Sequence, residues 1–227
     1  ITKHNYLVMR AADIARSIKE AFHVANSGRP GPVLVDIPKD VLTETAEFAY
    51  PEQLDMRGYN PVMEGHPTMI KNAARLIKEA KRPLILAGHG VIISRAYGEL
   101  KALAEKAQIP VVTTLLGLSS FPSGHVLSVG MPGMHGMAYA SIAINQADLI
   151  MGMGMRFDDR VTGKLSAFAP KAKVIHIDVD PAEIDKNIKA HVPIVGDLKQ
   201  VLQALNQEVE PATRPDWLLQ IDKLRQE

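Results

Sequence analysis

Six short apolar runs, rich in β-branched residues, recur along the chain, each closing on or beside Gly, Asp or Thr. They are PVLVDI from Pro32, PLILAG from Pro83, PVVTT from Pro110, DLIMGMG from Asp148, KVIHIDVD from Lys173 and VPIVGD from Val192. The runs are near-continuous rather than strictly alternating, the pattern of a parallel strand covered on both faces. Between and after them, apolar residues recur at helical spacing over Ala12 to Asn26, Thr68 to Ala80, Arg95 to Ala107, His135 to Asn145, Asp197 to Leu205 and Asp216 to Arg225. Strand and helix alternate, which predicts an α/β fold with an open, doubly wound, mainly parallel, Rossmann-like sheet. Such sheets bind ligands in the crevice beyond the carboxyl ends of their strands.

The rhythm breaks once. Residues 50–67, with PEQLDMRGYNPVMEGHP, are rich in Pro, Gly and polar residues and lack periodicity, so they read as a linker. The helix and strand before it, within 1–49, are expected to belong to a different domain from the strands after it. The main domain is expected over 68–206, and 207–227 as a connecting segment with a helix. The opening ITKHNYLV carries neither an initiator Met nor a basic-then-apolar signal, as expected of a fragment.

Composition narrows the function classes. The chain is 46% hydrophobic and 22% charged, ordinary for a globular protein, and its formal net charge of +1 gives no single-signed face for a nucleic-acid backbone. With no cysteine, disulfides, thiolate nucleophiles and cysteine zinc sites are excluded, and a cytoplasmic setting is expected. The longest uncharged stretch, Ala107 to Ala147, is interrupted by Pro and Gly, so no membrane span is expected. The eight histidines show no metal-ligand spacing, and no G-x-S-x-G elbow accompanies them.

Candidate chemistry gathers at the ends of the strands. Arg156, Asp158, Asp159 and Arg160 follow DLIMGMG directly. Either the guanidinium groups hold phosphate oxygens while an aspartate takes ribose hydroxyls, or the four close an internal salt-bridge cluster. Gly88, His89 and Gly90 follow PLILA but lack the full G-x-G-x-x-G spacing, with Ile93 at the third position. Asp178 is a candidate ribose ligand. Asp180 and Asp197 read as helix N-caps, and His135 as a cap, a packed group or a site residue. These features describe a nucleotide-type binding domain without recognisable catalytic machinery.

Five strings, SGRPGPVLVDIPKDV (Ser27 to Val41), TTLLGLSSFP (Thr113 to Pro122), GMHG (Gly133 to Gly136), RFDDRVTGK (Arg156 to Lys164) and HIDVDPAEI (His176 to Ile184), together resemble the acetolactate synthase (acetohydroxyacid synthase) family of thiamine diphosphate enzymes. The resemblance spans nearly the whole chain. It implies the end of a pyrimidine-binding domain followed by a central FAD-binding domain. It places FAD contacts on Arg29, on Gly88, His89 and Gly90, on Thr114, Leu115 and Leu116, and on Gly133, Met134 and His135. Further contacts would be Gly154, Arg156, Asp158, Arg160 and Val161, then Asp178 and Val179, and Asp197. Lys39, Met134, Asp159 and Arg160 would border a substrate and inhibitor channel. The family commonly has glycine where this chain has His89 and leucine where it has Pro132.

The implied reaction is carboligation, in which pyruvate loses CO2 and the remainder joins a second 2-oxoacid, pyruvate or 2-oxobutyrate, in branched-chain amino acid biosynthesis. Thiamine diphosphate and Mg2+ would serve the intact enzyme through a glutamate and a G-D-G motif that this chain lacks, so no catalytic or metal-binding residue is expected here. Homodimers or homotetramers and a regulatory small subunit are the implied partners, with a plastid location if the source is a plant. A related thiamine diphosphate carboligase or decarboxylase with ADP in the groove, and a free-standing nucleotide-binding module, are the alternatives. The stretch Ser119 to Met137, uncharged and turn-rich yet carrying Phe, Val, Leu and three Met, is expected to be a contact surface rather than part of the core.

Overall fold

In a computed structural model, which describes residues 1–226, the chain divides into two compact units, Ile1–Pro61 and Val62 onward. The division falls inside the stretch read as a linker. In the first unit, β1 (His4–Leu7), α1 (Ile14–Asn26) and β2 (Val33–Asp36) form a parallel pair joined by a helix, with Tyr6 opposite Val35, and α2 (Lys39–Thr43) follows. β1 escaped the sequence pattern because its short HNYL run is half polar. β2, expected to be covered on both faces, alternates between half-buried and exposed positions, since this sheet has only two strands.

The second unit is built from α3 (Pro67–Glu79), β3 (Pro83–Ala87), α4 (His89–Ile93), α5 (Tyr97–Lys106), β4 (Val111–Thr113), β5 (Ser128–Gly130), α6 (Ala138–Gln146) and β6 (Leu149–Met153). It continues with α7 (Asp159–Thr162), β7 (Lys173–Asp178), β8 (Val192–Val195), α8 (Leu198–Glu208) and α9 (Pro215–Gln226). Six parallel strands lie in the order β5-β4-β3-β6-β7-β8. Successive side chains of β3 leave on opposite faces. Ile85 and Ala87 join a core with α3, α5 and α8, while Leu84 and Leu86 join another with α6 and α9. The doubly wound sheet is therefore present.

Three local differences have physical causes. α5 starts at Tyr97 rather than Arg95 because Arg95 takes φ 54°, outside helical space. Ser119 to Met137 is not wholly a contact surface. Phe121, Leu127 and Val129 are buried, and β5 pairs with β4 through backbone hydrogen bonds that need no long apolar run. The tail after 206 is tied into the domain. Arg214, 7% exposed, donates to the carbonyls of Ile77 (2.6 Å), Ala80 (3.4 Å) and Ala107, closing the ends of α3 and α5. Trp217 Nε1–H donates to Pro83 O at 2.9 Å from within the α6 and α9 core. No helix among the described residues is long and apolar enough to cross a membrane.

Candidate functional site

From β3 the chain winds outward to β4 and β5, then returns to the other side of β3 and winds on through β6, β7 and β8. The carboxyl ends of β3 and β6 therefore flank the point where the winding direction reverses, the place where open α/β sheets leave a crevice for ligands. The loops leaving these two strands, Gly88 to Gly90 and Gly154 to Arg160, are the ones singled out from the sequence.

The two loops meet backbone to backbone. Gly88 N–H donates to Met153 O (2.9 Å), Gly90 N–H to Gly154 O (3.0 Å) and Gly154 N–H to Ile177 O (2.8 Å). A Cβ on Gly88 would lie 2.3 Å from Gly154 O, and one on Gly90 2.6 Å from Gly154 Cα; Gly154 itself has φ +60°. The close approach that these glycines permit is thus to one another. Their N–H groups are already used, so they shape the crevice floor.

Beyond Gly154, Phe157 is the anchor of the loop. It is 1% exposed at φ 48°, packed edge-on against His176 (4.9 Å between ring centroids) and Phe168 (5.9 Å). His176, buried in β7, donates from Nε2 to Met155 O at 2.8 Å, and burial lowers its pKa, so the ring stays neutral beneath the loop. With Phe157 drawn inward, its neighbours turn out. Arg156 Nη2 contacts Asp158 Oδ2 at 3.0 Å, with side chains 53% and 37% exposed. Arg156 and Asp158 therefore pair with each other, while Asp159 and Arg160 are exposed on α7.

The remaining candidate positions of the second unit lie in the segments that follow β4, β5, β7 and β8. Thr114 caps the turn Leu115–Gly117, accepting from Gly117 N at 3.1 Å, and leaves Leu115 and Leu116 exposed. His89 Nδ1 lies 2.9 Å from Leu116 O, linking the β3 and β4 exits. Gly133 N–H donates to Ser141 Oγ (3.2 Å), and its Cα approaches so near the Arg160 carbonyl that a Cβ would sit 2.4 Å away. Gly133, Met134, Asp159, Arg160, Val161 and Lys164 line a cavity of about 370 Å3. His135 is exposed before α6 and caps nothing. At the far strands, Asp178 Oδ1 accepts from Asp180 N (2.9 Å), Val179 follows it, and Asp197 caps α8 by accepting from Gln200 N at 3.2 Å. Arg29 and Lys39 belong to the first unit, after α1 and at the start of α2.

Sequence reasoning missed Phe157 and His176 as the residues that position the charged loop. The available signal was a lone aromatic inside a charged run and a lone histidine inside an apolar strand.

The family described as thiamine pyrophosphate enzyme, central domain, matches residues 70–205. The chain belongs to this family. Its strand exits are thus those of a thiamine pyrophosphate enzyme central domain. The chain is also 54% identical to an acetolactate synthase of Mycobacterium leprae, over 90% of this chain and 33% of that protein. An acetolactate synthase large subunit of Corynebacterium glutamicum is 52% identical over 90% of the chain and 33% of its own length. One from Buchnera aphidicola subsp. Schizaphis graminum is 43% identical over 98% and 40%. The chain therefore spans a third to two fifths of the length of these relatives.

Proposed function

We propose that the carboxyl edge of this central domain holds FAD, and that the chain is the FAD-binding part of an acetolactate synthase catalytic subunit. The observation that carries the reading is the crevice between β3 and β6, where glycine-only contacts bring the Gly88 to Gly90 loop against the start of a charged loop anchored by Phe157. The strand exits from β4 to β8 extend over about 19 Å at the usual inter-strand spacing, which suits an elongated dinucleotide better than a mononucleotide.

The donor set fits that ligand. Exposed guanidinium groups of Arg156 and Arg160 suit the anionic diphosphate, and the Asp178 carboxylate suits ribose hydroxyls. Exposed Leu115, Leu116 and Met134 offer apolar surface for a flat ring. FAD performs no net electron transfer in the implied carboligation, so the task of these residues is to bind and orient. Among the described residues no group of three or more His, Asp or Glu side chains could hold a metal ion, and we assign no step through Mg2+ or thiamine diphosphate to this chain. The condensation of two 2-oxoacids, the oligomer, a regulatory partner and a cytoplasmic location belong to the same proposal, and rest on the resemblance to those relatives.

Titration with FAD, FMN and ADP, followed by flavin fluorescence and calorimetry, tests the site. FAD should bind most tightly. Arg156→Ala should weaken it about three- to tenfold, the modest figure reflecting an exposed side chain already paired with Asp158, and Arg160→Ala by a similar factor. Equal affinity for ADP and FAD, or an Arg156→Ala/Arg160→Ala double variant that binds FAD as the parent does, would sink the assignment.

A further inference from the structure

Leu115 and Leu116, side by side at the exit of β4, are each 65% exposed. Single exposed leucines are ordinary on a protein surface; two in succession on one fixed turn at the ligand edge of a sheet make a larger apolar face. The turn beneath them is held against β3 at both ends. Thr114 N–H donates to Ala87 O at 2.9 Å, and Gly117 lies so close to that strand end that a Cβ on it would sit 2.2 Å from the same oxygen. Within the turn, Gly117 N–H donates to Thr114 O (2.9 Å) and Leu118 N–H to Leu115 O (3.4 Å). The carbonyl between these, Leu116 O, receives no backbone N–H among the described residues. Its partner is the side chain of His89, the first residue of α4, through Nδ1 at 2.9 Å.

A carbonyl oxygen only accepts, so the proton of this contact resides on Nδ1. His89 is exposed and belongs to neither apolar core, which leaves this bond as its contribution to the local structure. The imidazole thus ties the exit of β3 to the middle of the turn at the exit of β4. A turn fixed at its ends alone can still rock at its centre, and the ordering that a ligand must then impose is subtracted from its binding. With Leu116 O held, the two leucines are in place before a ligand arrives.

We propose that His89 is a positioning residue that presets Leu115 and Leu116 as the platform for the flat ring of a flavin, and thereby sets the preference of the site for FAD over ADP. The proposal rests on the reading of this edge as an FAD site. ADP shares the adenosine and the diphosphate but has no isoalloxazine to lay on the leucines, so His89 strengthens the binding of one ligand and not of the other.

The test is calorimetric titration with FAD and with ADP of the parent protein, His89→Ala and His89→Asn. The Asn amide places an N–H where Nδ1–H stands and keeps the bond, whereas Ala removes it. His89→Ala should weaken FAD about three- to fivefold, within the range for one hydrogen bond and below its upper end because this one is exposed. ADP should stay within about 1.5-fold of the parent, since it makes no contact with the leucines. His89→Asn should bind both ligands as the parent does. In the free protein, amide hydrogen exchange at Gly117 and Leu118 should quicken in His89→Ala and return to the parent rate in His89→Asn. Unchanged FAD affinity or exchange in His89→Ala, an ADP loss equal to the FAD loss, or failure of Asn to restore either readout would overturn the role of His89. Parent protein that binds FAD no more tightly than ADP would sink the flavin reading and this proposal with it, an outcome told apart because it needs no variant.

Discussion

Phe157 sits in the left-handed region that costs a bulky residue about 1 to 3 kcal/mol, and remains there because burying its ring against His176 and Phe168 is worth at least as much. His176 completes the arrangement from below, and its protonation state is the sensitive point. In the unfolded chain an imidazole titrates near pH 6.5; in the fold, burial holds the His176 pKa below that value. Between the two values the unfolded chain carries the extra proton, so the stabilising contribution is complete above about pH 6.5 and is lost as pH falls towards the folded value. The slope is at most about 1.4 kcal/mol per pH unit. His176→Gln should lower stability at neutral pH and flatten the dependence between pH 7 and 5, measured by urea unfolding. The other seven histidines are common to both proteins, so an unchanged slope would remove His176 from the account.

The loops after β3 and β6 were legible as a location and not as a mechanism. Apolar runs ending in GHG and GMGMR announced strand exits, because continuous hydrophobicity followed by glycine has few other readings. That the glycines serve each other depends on the β3 and β6 pairing, a contact between residues more than sixty positions apart that no local pattern encodes. The same holds for Arg156, whose nearest charge is its neighbour Asp158. Gly154→Ala tests the contact directly. The new Cβ would lie 2.5 Å from Gly90 Cα at a position with φ +60°, combining steric overlap with a left-handed backbone. A loss of about 2 to 4 kcal/mol is expected, a fall in Tm on the order of 10 °C, together with weaker FAD binding. Gly163→Ala, also at positive φ (with ψ −130°) but with nothing within 4 Å of a Cβ, should lose only the backbone-strain part, about 1 to 3 kcal/mol. Equal losses in the two variants would show that backbone conformation, not the close approach, sets the requirement for Gly154.

On the scale of the whole chain, the strand and helix order was readable because a doubly wound sheet demands runs covered on both faces. What escaped was the part whose structure rests on backbone pairing or distant partners: β1, β5 and the Arg214 and Trp217 anchors of the tail. The two units also differ in what they bury. Among the described residues, the two large clusters of buried apolar side chains are drawn from residues 70–221 in the second unit. The buried apolar residues of the first are Val8, Ala21, Val24 and Val41, while Phe22, Leu34 and Phe48 are exposed. A two-stranded sheet with one long helix and so few buried side chains falls short of what an independent domain of about sixty residues needs. The second unit should therefore fold alone and the first should not. A chain beginning at Val62 is expected to unfold cooperatively with a Tm within about 5 °C of the full chain, since a sheet with helices on both faces keeps both of its cores. Residues 1–61 expressed separately should give the far-ultraviolet dichroism and the rapid amide exchange of an unfolded peptide. A cooperative transition in the 1–61 peptide, or loss of cooperativity in the chain from Val62, would mean that the stability of the molecule is shared between its units rather than held in the second.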